Sequence, residues 1–358
     1  MKKTLVLVLS LLLVAAMMTP ALADAAKPYI PLISKGFQHQ FWQTVMAGSE
    51  AAAEKYGVEI TFDGPPSESD IGPQVDMLNA VLAKNPAALC LAALDTDSVT
   101  EQLNSCKEKG IPVIGFDSGV PNAPEGSIYS TASTDNEAAG ALAADNMFAI
   151  PEVKAAIDAA TPDAPIILSM YAQDVTSASI TGRTIGYINR MFELVSGVQP
   201  GAVEISGHDK YLKAAEGPVA VSIQVTVPAS TNDVDLQTGA QGIFAQSNVV
   251  SIFCSNTGAV VGILSATTDG SDLDRENGKY KDMVVIGFDA GAALKNAVRQ
   301  QWFYGAITQD PYMIGYYAVE LAAKVLNGET VDPIVDTGCR FYTYENMDDA
   351  EIAPLLYD

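Results

Sequence analysis

Five planar polar side chains, Asp117, Arg183, Asn256, Asp289 and Gln309, carry the most legible chemistry in the chain. Two of them close similar segments, IPVIGFD at 111–117 and VVIGFD at 284–289. Carboxylates and amides accept and donate hydrogen bonds in pairs, and a guanidinium adds a rigid donor fork. The neighbouring rings of Phe41 and Trp42 offer flat apolar cover. This mixture suits a polyhydroxylated ring, whose hydroxyls need paired polar partners and whose C–H faces need aromatic ones. The same aspartates would also serve as strand-end caps of following helices. Phe41 and Trp42 would equally pack at a helix start, one inward and one towards ligand, in either order.

Catalytic constellations are missing by comparison. With only His39 and His208 present there is no HExxH metal site, and no CxxC, GxSxG or glycine-rich phosphate loop occurs. Two carboxylates alone could hydrolyse a glycoside, yet nothing singles out such a pair among 43 acidic residues. The acidic loop at 267–282, TTDGSDLDRENGKYKD, lacks the alternate spacing of a calcium loop and reads as a solvated turn. The expectation is a binder without enzymatic activity, metal or cofactor.

To aim these groups at one space, the chain needs strands that end together. Continuous apolar runs alternating with helix-length segments belong to parallel sheets buried on both faces, which bind ligands beyond the carboxyl ends of their strands. The first half reads as strands at 27–33, 58–62, 87–94 and 111–116. Helices lie between them, stopped at Gly57 and Gly110, the last one capped by Asp97 or Ser98. The second half repeats the pattern, with strands at 165–170, 202–205, 218–227, 249–253, 283–288 and 303–307, while 211–215 has no clear assignment. The fold class is α/β, with two similar doubly wound parallel-sheet lobes joined by a multi-crossing hinge. One lobe takes 24–130 plus about 308–333, and the other 131–307 plus about 334–358.

Residues 1–23 read as a cleaved export signal: Lys2 and Lys3, an apolar stretch, then Ala21-Leu22-Ala23 before Asp24. The stretch is short for a membrane span, so the mature protein is expected to be soluble in the periplasm or at the extracellular face of the envelope. A net charge of −23 repels nucleic acid and anionic lipid. Export permits disulfides among Cys90, Cys106, Cys254 and Cys339, and pairing 90–106 with 254–339 keeps each bridge in one lobe. Four small buried hydrophobes are the alternative.

Taken together, these segments resemble the sugar-type periplasmic binding proteins of the ribose/galactose class (type I fold), the solute receptors of ABC importers. The resemblance spans nearly the whole mature chain. SKGFQHQFWQTVMAGSEAAAEKYG matches the family's first segment and implies that Phe41 and Trp42 stack on the sugar. GIPVIGFDSG implies a hydroxyl-binding Asp117, and SASITGRTIGYINR a hydroxyl-binding Arg183. FCSNTGAVVGIL supplies Asn256, VVIGFDAG supplies Asp289, and GAITQDPYMIGYYA supplies Gln309 at a hinge crossing. Two departures bear on the ligand. Ser118 stands where ribose receptors carry an arginine, and VPAST at 227–231 lacks their further aromatic wall. That argues against ribose and for a larger site, filled in by Gln38, His39, Ser118 and Gln173. The implied partners are a monosaccharide or polyol and a membrane permease, with the protein a monomer. Alternatives are a receptor for a furanosyl signal or sugar acting through a chemotaxis or sensor protein and, less favoured, a carbohydrate-acting enzyme.

Overall fold

The structure, a computed structural model, describes residues 26–37 and 39–357. The export signal at 1–23 and Gln38 lie outside the described residues. Strands β1 (Tyr29–Ile33), β2 (Glu59–Asp63), β3 (Leu89–Leu91), β4 (Val113–Phe116) and β5 (Ile128–Ser133) alternate with helices α1 (Gln40–Tyr56), α2 (Ile71–Leu82) and α3 (Thr100–Lys109). Helices α4 (Asn136–Ala149) and α5 (Pro151–Ala159) lead into β6 (Ile166–Tyr171), α6 (Ala178–Ser196), β7 (Val203–Ser206) and β8 (Val221–Thr226). Then come α7 (Asp233–Phe244), β9 (Val249–Cys254), α8 (Thr257–Ala266), β10 (Val284–Phe288), α9 (Ala292–Arg299) and β11 (Gly305–Gln309). Helix α10 (Pro311–Leu326) and strands β12 (Ile334–Asp336) and β13 (Cys339–Thr343) complete the chain.

The strands form two sheets, ordered β12-β5-β4-β3-β1-β2 and β13-β11-β10-β9-β6-β8-β7. Without the edge strands β7, β12 and β13, both halves show one doubly wound order: β2-β1-β3-β4-β5 corresponds to β8-β6-β9-β10-β11. Pairing is parallel except for β13, which runs antiparallel to β11. The chain leaves the first sheet after β5, returns after β11 as α10 packed on α1, and divides its last two strands between the sheets. These passages fall at the ends of β5, β11 and β12.

Strands β4 and β10 are buried along their whole length, because helices cover both faces of each sheet. Helices α1 and α3 stop where Gly57 and Gly110 adopt φ of 66° and 67°, conformations that favour glycine. The start of α3 departs from the expected cap. Neither Asp97 nor Ser98 caps it; Asp95 instead accepts from the backbone N–H groups of both, an Asx turn ahead of the helix. Helix α5 escaped the sequence reading although Pro151 and Glu152 open it and its buried Val153 and Ile157 lie four residues apart, and the short turn of helix at Asp209–Tyr211 escaped it too.

In each lobe, two helices meet at glycine. A methyl group on Gly48 or Gly315 would lie 1.9 Å from the carbonyl oxygen of Tyr312 or Val45, across the α1–α10 contact. On Gly140 or Gly186 it would lie 2.2 or 2.0 Å from the carbonyl oxygen of Arg183 or Glu137, across the α4–α6 contact. The second contact sets where Arg183 stands.

Of the two readings of the cysteines, bridges within each lobe or free thiols, the structure has the second: all four thiols are free. On β3 the side chains alternate, so Cys90 packs with the α1–α10 layer while Leu89 and Leu91 face the opposite layer that holds Cys106. A whole sheet separates that pair. Cys254 likewise packs with α7–α9, whereas Cys339 lies against the α4–α6 layer. Burial pushes the Cys90 and Cys254 thiols well above their usual range and Cys106 to about 11.

Two outcomes follow. Gly315→Ala and Gly186→Ala should each destabilise the fold by roughly 1–3 kcal/mol or more, read from urea unfolding, because backbone oxygens cannot move aside cheaply. Reductant should leave the melting temperature unchanged, and unfolding without reductant should release four titratable thiols; fewer would show bridges in solution.

Candidate ligand-binding site

Both strand-end aspartates adopt the left-handed backbone region, Asp117 at φ 53° and Asp289 at φ 80°. Aspartate tolerates this conformation better than most residues, at a cost of about 1 kcal/mol or more. The backbone N–H of each is tied to the adjacent strand: Asp117 to Ala132 O and Asp289 to Ile307 O. This strained corner occurs once per lobe, at matching positions of the common topology.

The side chains meet in a cavity of about 20 Å³ lined by Lys35, His39, Phe41, Trp42, Glu68, Asp117, Arg183, Asn256, Thr257, Asp289 and Gln309. All seven principal residues expected from sequence are in this wall, together with His39. Ser118 and Gln173 are buried beside it. Three wall residues escaped the sequence reading: Lys35, Glu68 and Thr257. Their signal was positional, since Lys35 follows β1 and Glu68 sits in the turn after β2, both beyond carboxyl ends of strands.

Within the cavity, polar groups satisfy one another. Gln309 Nε2 donates to Asp289 Oδ1 at 2.7 Å, while Thr257 N and Oγ1 donate to Oδ2 at 2.9 and 2.8 Å. Asp289 thus caps α8, a neighbouring helix, as well as facing the cavity. Asn256 caps the same helix through Ala259 N and donates to Gln173 Oε1 at 2.8 Å. Arg183 Nε donates to Asn136 Oδ1 and Nη1 to Ser255 O, with its guanidinium 3.8 Å from the centre of the Phe288 ring. Phe41 and Trp42 are perpendicular to each other, and Trp42 Nε1 donates to Glu68 Oε1 at 2.8 Å. Trp42 is therefore locked in place by its edge.

Several bonds cross from one lobe to the other. Gln173 Nε2 donates to Glu68 Oε2 at 2.9 Å, and Lys35 Nζ donates to Ser179 Oγ at 3.0 Å. Lys35 also pairs with Asp117 Oδ2 at 3.2 Å, both side chains being almost fully buried.

Burial acts against every charge here, and the neighbours decide the result. For Lys35, burial favours the neutral amine, but Asp117, Glu68 and Asp174 together hold the ammonium above its usual range. For Glu68, burial pushes upward, yet Lys35, His39, the Trp42 N–H and the Gln173 amide pull it below the usual range. Asp117 goes the other way: burial outweighs Lys35 and Arg183, so its carboxyl is raised. Asp174 is raised by burial as well, despite hydrogen bonds from Thr176 and Ser177.

The chain is similar to known proteins over most of its length. The periplasmic binding protein domain family matches residues 30–330. The D-allose-binding periplasmic protein of Escherichia coli is 21% identical over 317 residues, covering 87% of this chain and 88% of the relative. A solved structure described as an ABC transporter, LacI family transcriptional regulator, from Brachyspira murdochii is 38% identical with a TM-score of 0.76, covering 93% of this chain and 99% of that one. A carbohydrate transporter solute-binding protein from Agrobacterium radiobacter, in complex with D-arabinose, is 25% identical with a TM-score of 0.73, covering 93% and 100%.

The pH dependence has a definite sign. With its folded value below 4.5, Glu68 stabilises the fold above that pH, and the contribution is lost as pH falls through the folded value. Asp117, raised above 3.8, takes up its proton earlier when folded, so acid relieves its burial cost. Urea unfolding from about pH 6 to about pH 3 should therefore show a flatter loss of stability for Glu68→Gln than for wild type, and a steeper one for Asp117→Asn.

Proposed function

The chain belongs to the periplasmic binding protein family, and on that premise we propose that it captures a monosaccharide or related polyol between its lobes for delivery to an ABC importer permease. It is a non-catalytic solute receptor, and its place of work is the periplasm. One observation carries the ligand reading. Carboxylates and amides from the strand ends of the two sheets and the Arg183 guanidinium from α6 converge with two aromatic rings on a single cavity.

A cavity of about 20 Å³ has no room for a sugar ring. Entry requires the lobes to part, with the passages between the sheets serving as the multi-crossing hinge of the type I arrangement. Asp117, Arg183, Asn256, Asp289 and Gln309 then exchange their internal hydrogen bonds for ligand hydroxyls. Phe41 and Trp42 cover a ring face. Closure expels water and strengthens those bonds, so ligand shifts the population towards the closed form. That form, as a monomer, is what a permease reads; a chemotaxis or sensor protein could read the same surface.

The test is thermal unfolding of protein refolded from denaturant, against D-allose, D-arabinose, D-ribose, other pentoses and hexoses, polyols and amino acids. A ligand confined to the native state raises the melting temperature by mass action. At least one sugar or polyol should do so, and Asp117→Ala or Asp289→Ala should weaken its binding by about 2–4 kcal/mol. No shift with any of them, or unchanged affinity in both variants, would refute the reading.

A further inference from the structure

Helix α9 begins without a cap of its own. Its N-cap is Gly291, which has no side chain to offer, whereas Asp135, Asn232, Asn256 and Asp310 cap α4, α7, α8 and α10 in turn. The acceptor for α9 comes from the other lobe. Gln40, the first residue of α1, takes a hydrogen bond on Oε1 from Ala292 N at 3.0 Å. A methyl group on Gly291 would lie 3.0 Å from the same oxygen, so the bare glycine lets the amide approach. The other four caps stay with their helices when the lobes part; the cap on α9 is broken.

A second tie joins other strand ends. Thr176, in the turn after β6, donates from Oγ1 to Leu94 O beyond β3 at 3.0 Å, and Thr96 N donates to Thr176 O at 3.4 Å. Asp174 Oδ1 accepts from Thr176 N and fixes the turn. Neither Gln40 nor Thr176 is in the cavity wall, and neither are Ala292 and Leu94. Both ties therefore distinguish the closed form from the open one without touching a ligand in the cavity. The apparent affinity of a ligand scales with the population of the form that holds it. A tie of this kind changes the affinity for every ligand by one factor, whereas a ligand contact discriminates among ligands.

We propose that Gln40 and Thr176 are positioning residues, latches outside the cavity that favour the closed form and so raise affinity for every ligand alike; this rests on the reading that the lobes close around a sugar or polyol. The Gln40 latch can be strengthened as well as removed. Partial positive charge gathers at a helix N-terminus, and a carboxylate interacts with it more favourably than an amide does. Gln40→Glu keeps the length of the side chain and adds that charge, Gln40→Leu removes the acceptor, and Thr176→Val removes the hydroxyl while keeping its shape. Both residues are half-buried, so none of these changes opens a core cavity.

The experiment compares wild type with these three variants in two readouts. One is stopped-flow dissociation of the sugar that gives the largest thermal shift in the panel, and of its monodeoxy analogues. The other is small-angle X-ray scattering without ligand, where the radius of gyration follows the separation of the lobes. Gln40→Leu and Thr176→Val should each release sugar roughly 3- to 30-fold faster. Gln40→Glu should release it about 2- to 5-fold more slowly. Each factor should be the same for the parent sugar and its analogues. Without ligand, the radius of gyration should fall from Gln40→Leu through wild type to Gln40→Glu. Deoxy penalties that differ between Gln40→Leu and wild type would make Gln40 a ligand contact, and faster release by Gln40→Glu would remove its role at the helix end. Either result overturns the inference and leaves the sugar reading intact. If no sugar in the panel binds, the sugar reading fails and scattering decides on the latches alone: ordered radii uphold them, and identical radii refute them.

Discussion

A lysine ammonium buried between two lobes is the interaction on which the site turns. Alone in such a place it would give up its proton; with Asp117, Glu68 and Asp174 around it, it holds that proton more firmly than in water. Buried ion pairs are poor sources of net stability, because desolvation opposes their attraction. What they impose is geometry. Lys35 ties the first lobe to Ser179 of the second, Glu68 ties Trp42 to Gln173, and these bonds fix how the strand ends face each other. The cavity is the space left inside that network.

The network requires two sheets whose carboxyl ends point together, and the repeated strand order meets that requirement. Each lobe places an aspartate after a Gly-Phe pair and holds it in left-handed backbone. Each also brings two helices into backbone contact at glycine. Rigid elements packed this closely position side chains better than loops can. Arg183 illustrates the point: Gly140 and Gly186 let α4 approach α6, and the approach brings Asn136 to the guanidinium.

Much of this could be read from the residues. Apolar runs of strand length, helix stops at Gly57 and Gly110, and aspartates closing two matching strands lead to the two-sheet plan and to seven residues of the cavity wall. Lys35, Glu68 and Thr257 were missed for a physical reason. A charged residue in a turn normally faces water, and only the closing of the second lobe over Lys35 and Glu68 buries them. The cysteines were legible only as two alternatives, bridges kept within one lobe or four free thiols, because strand alternation, which puts Cys90 and Cys106 on opposite faces of a sheet, decides between them. Helix α5 was legible in its own pattern, Pro151 and Glu152 at the start and Val153 and Ile157 on one face, whereas β12, three residues long, is defined by its pairing with β5.

The division of the last strands between the sheets affects how the molecule is made. Strand β12 completes the edge of a sheet whose other strands end by Ser133, and β13 does the same for the second sheet. Helix α10, which covers the first sheet, is also supplied late. Neither lobe can close its layers until nearly the whole chain is available, and such long-range contacts form slowly. A polypeptide threaded across a membrane in extended form gains from that delay. Completion of both sheets waits on the C-terminal strands β12 and β13.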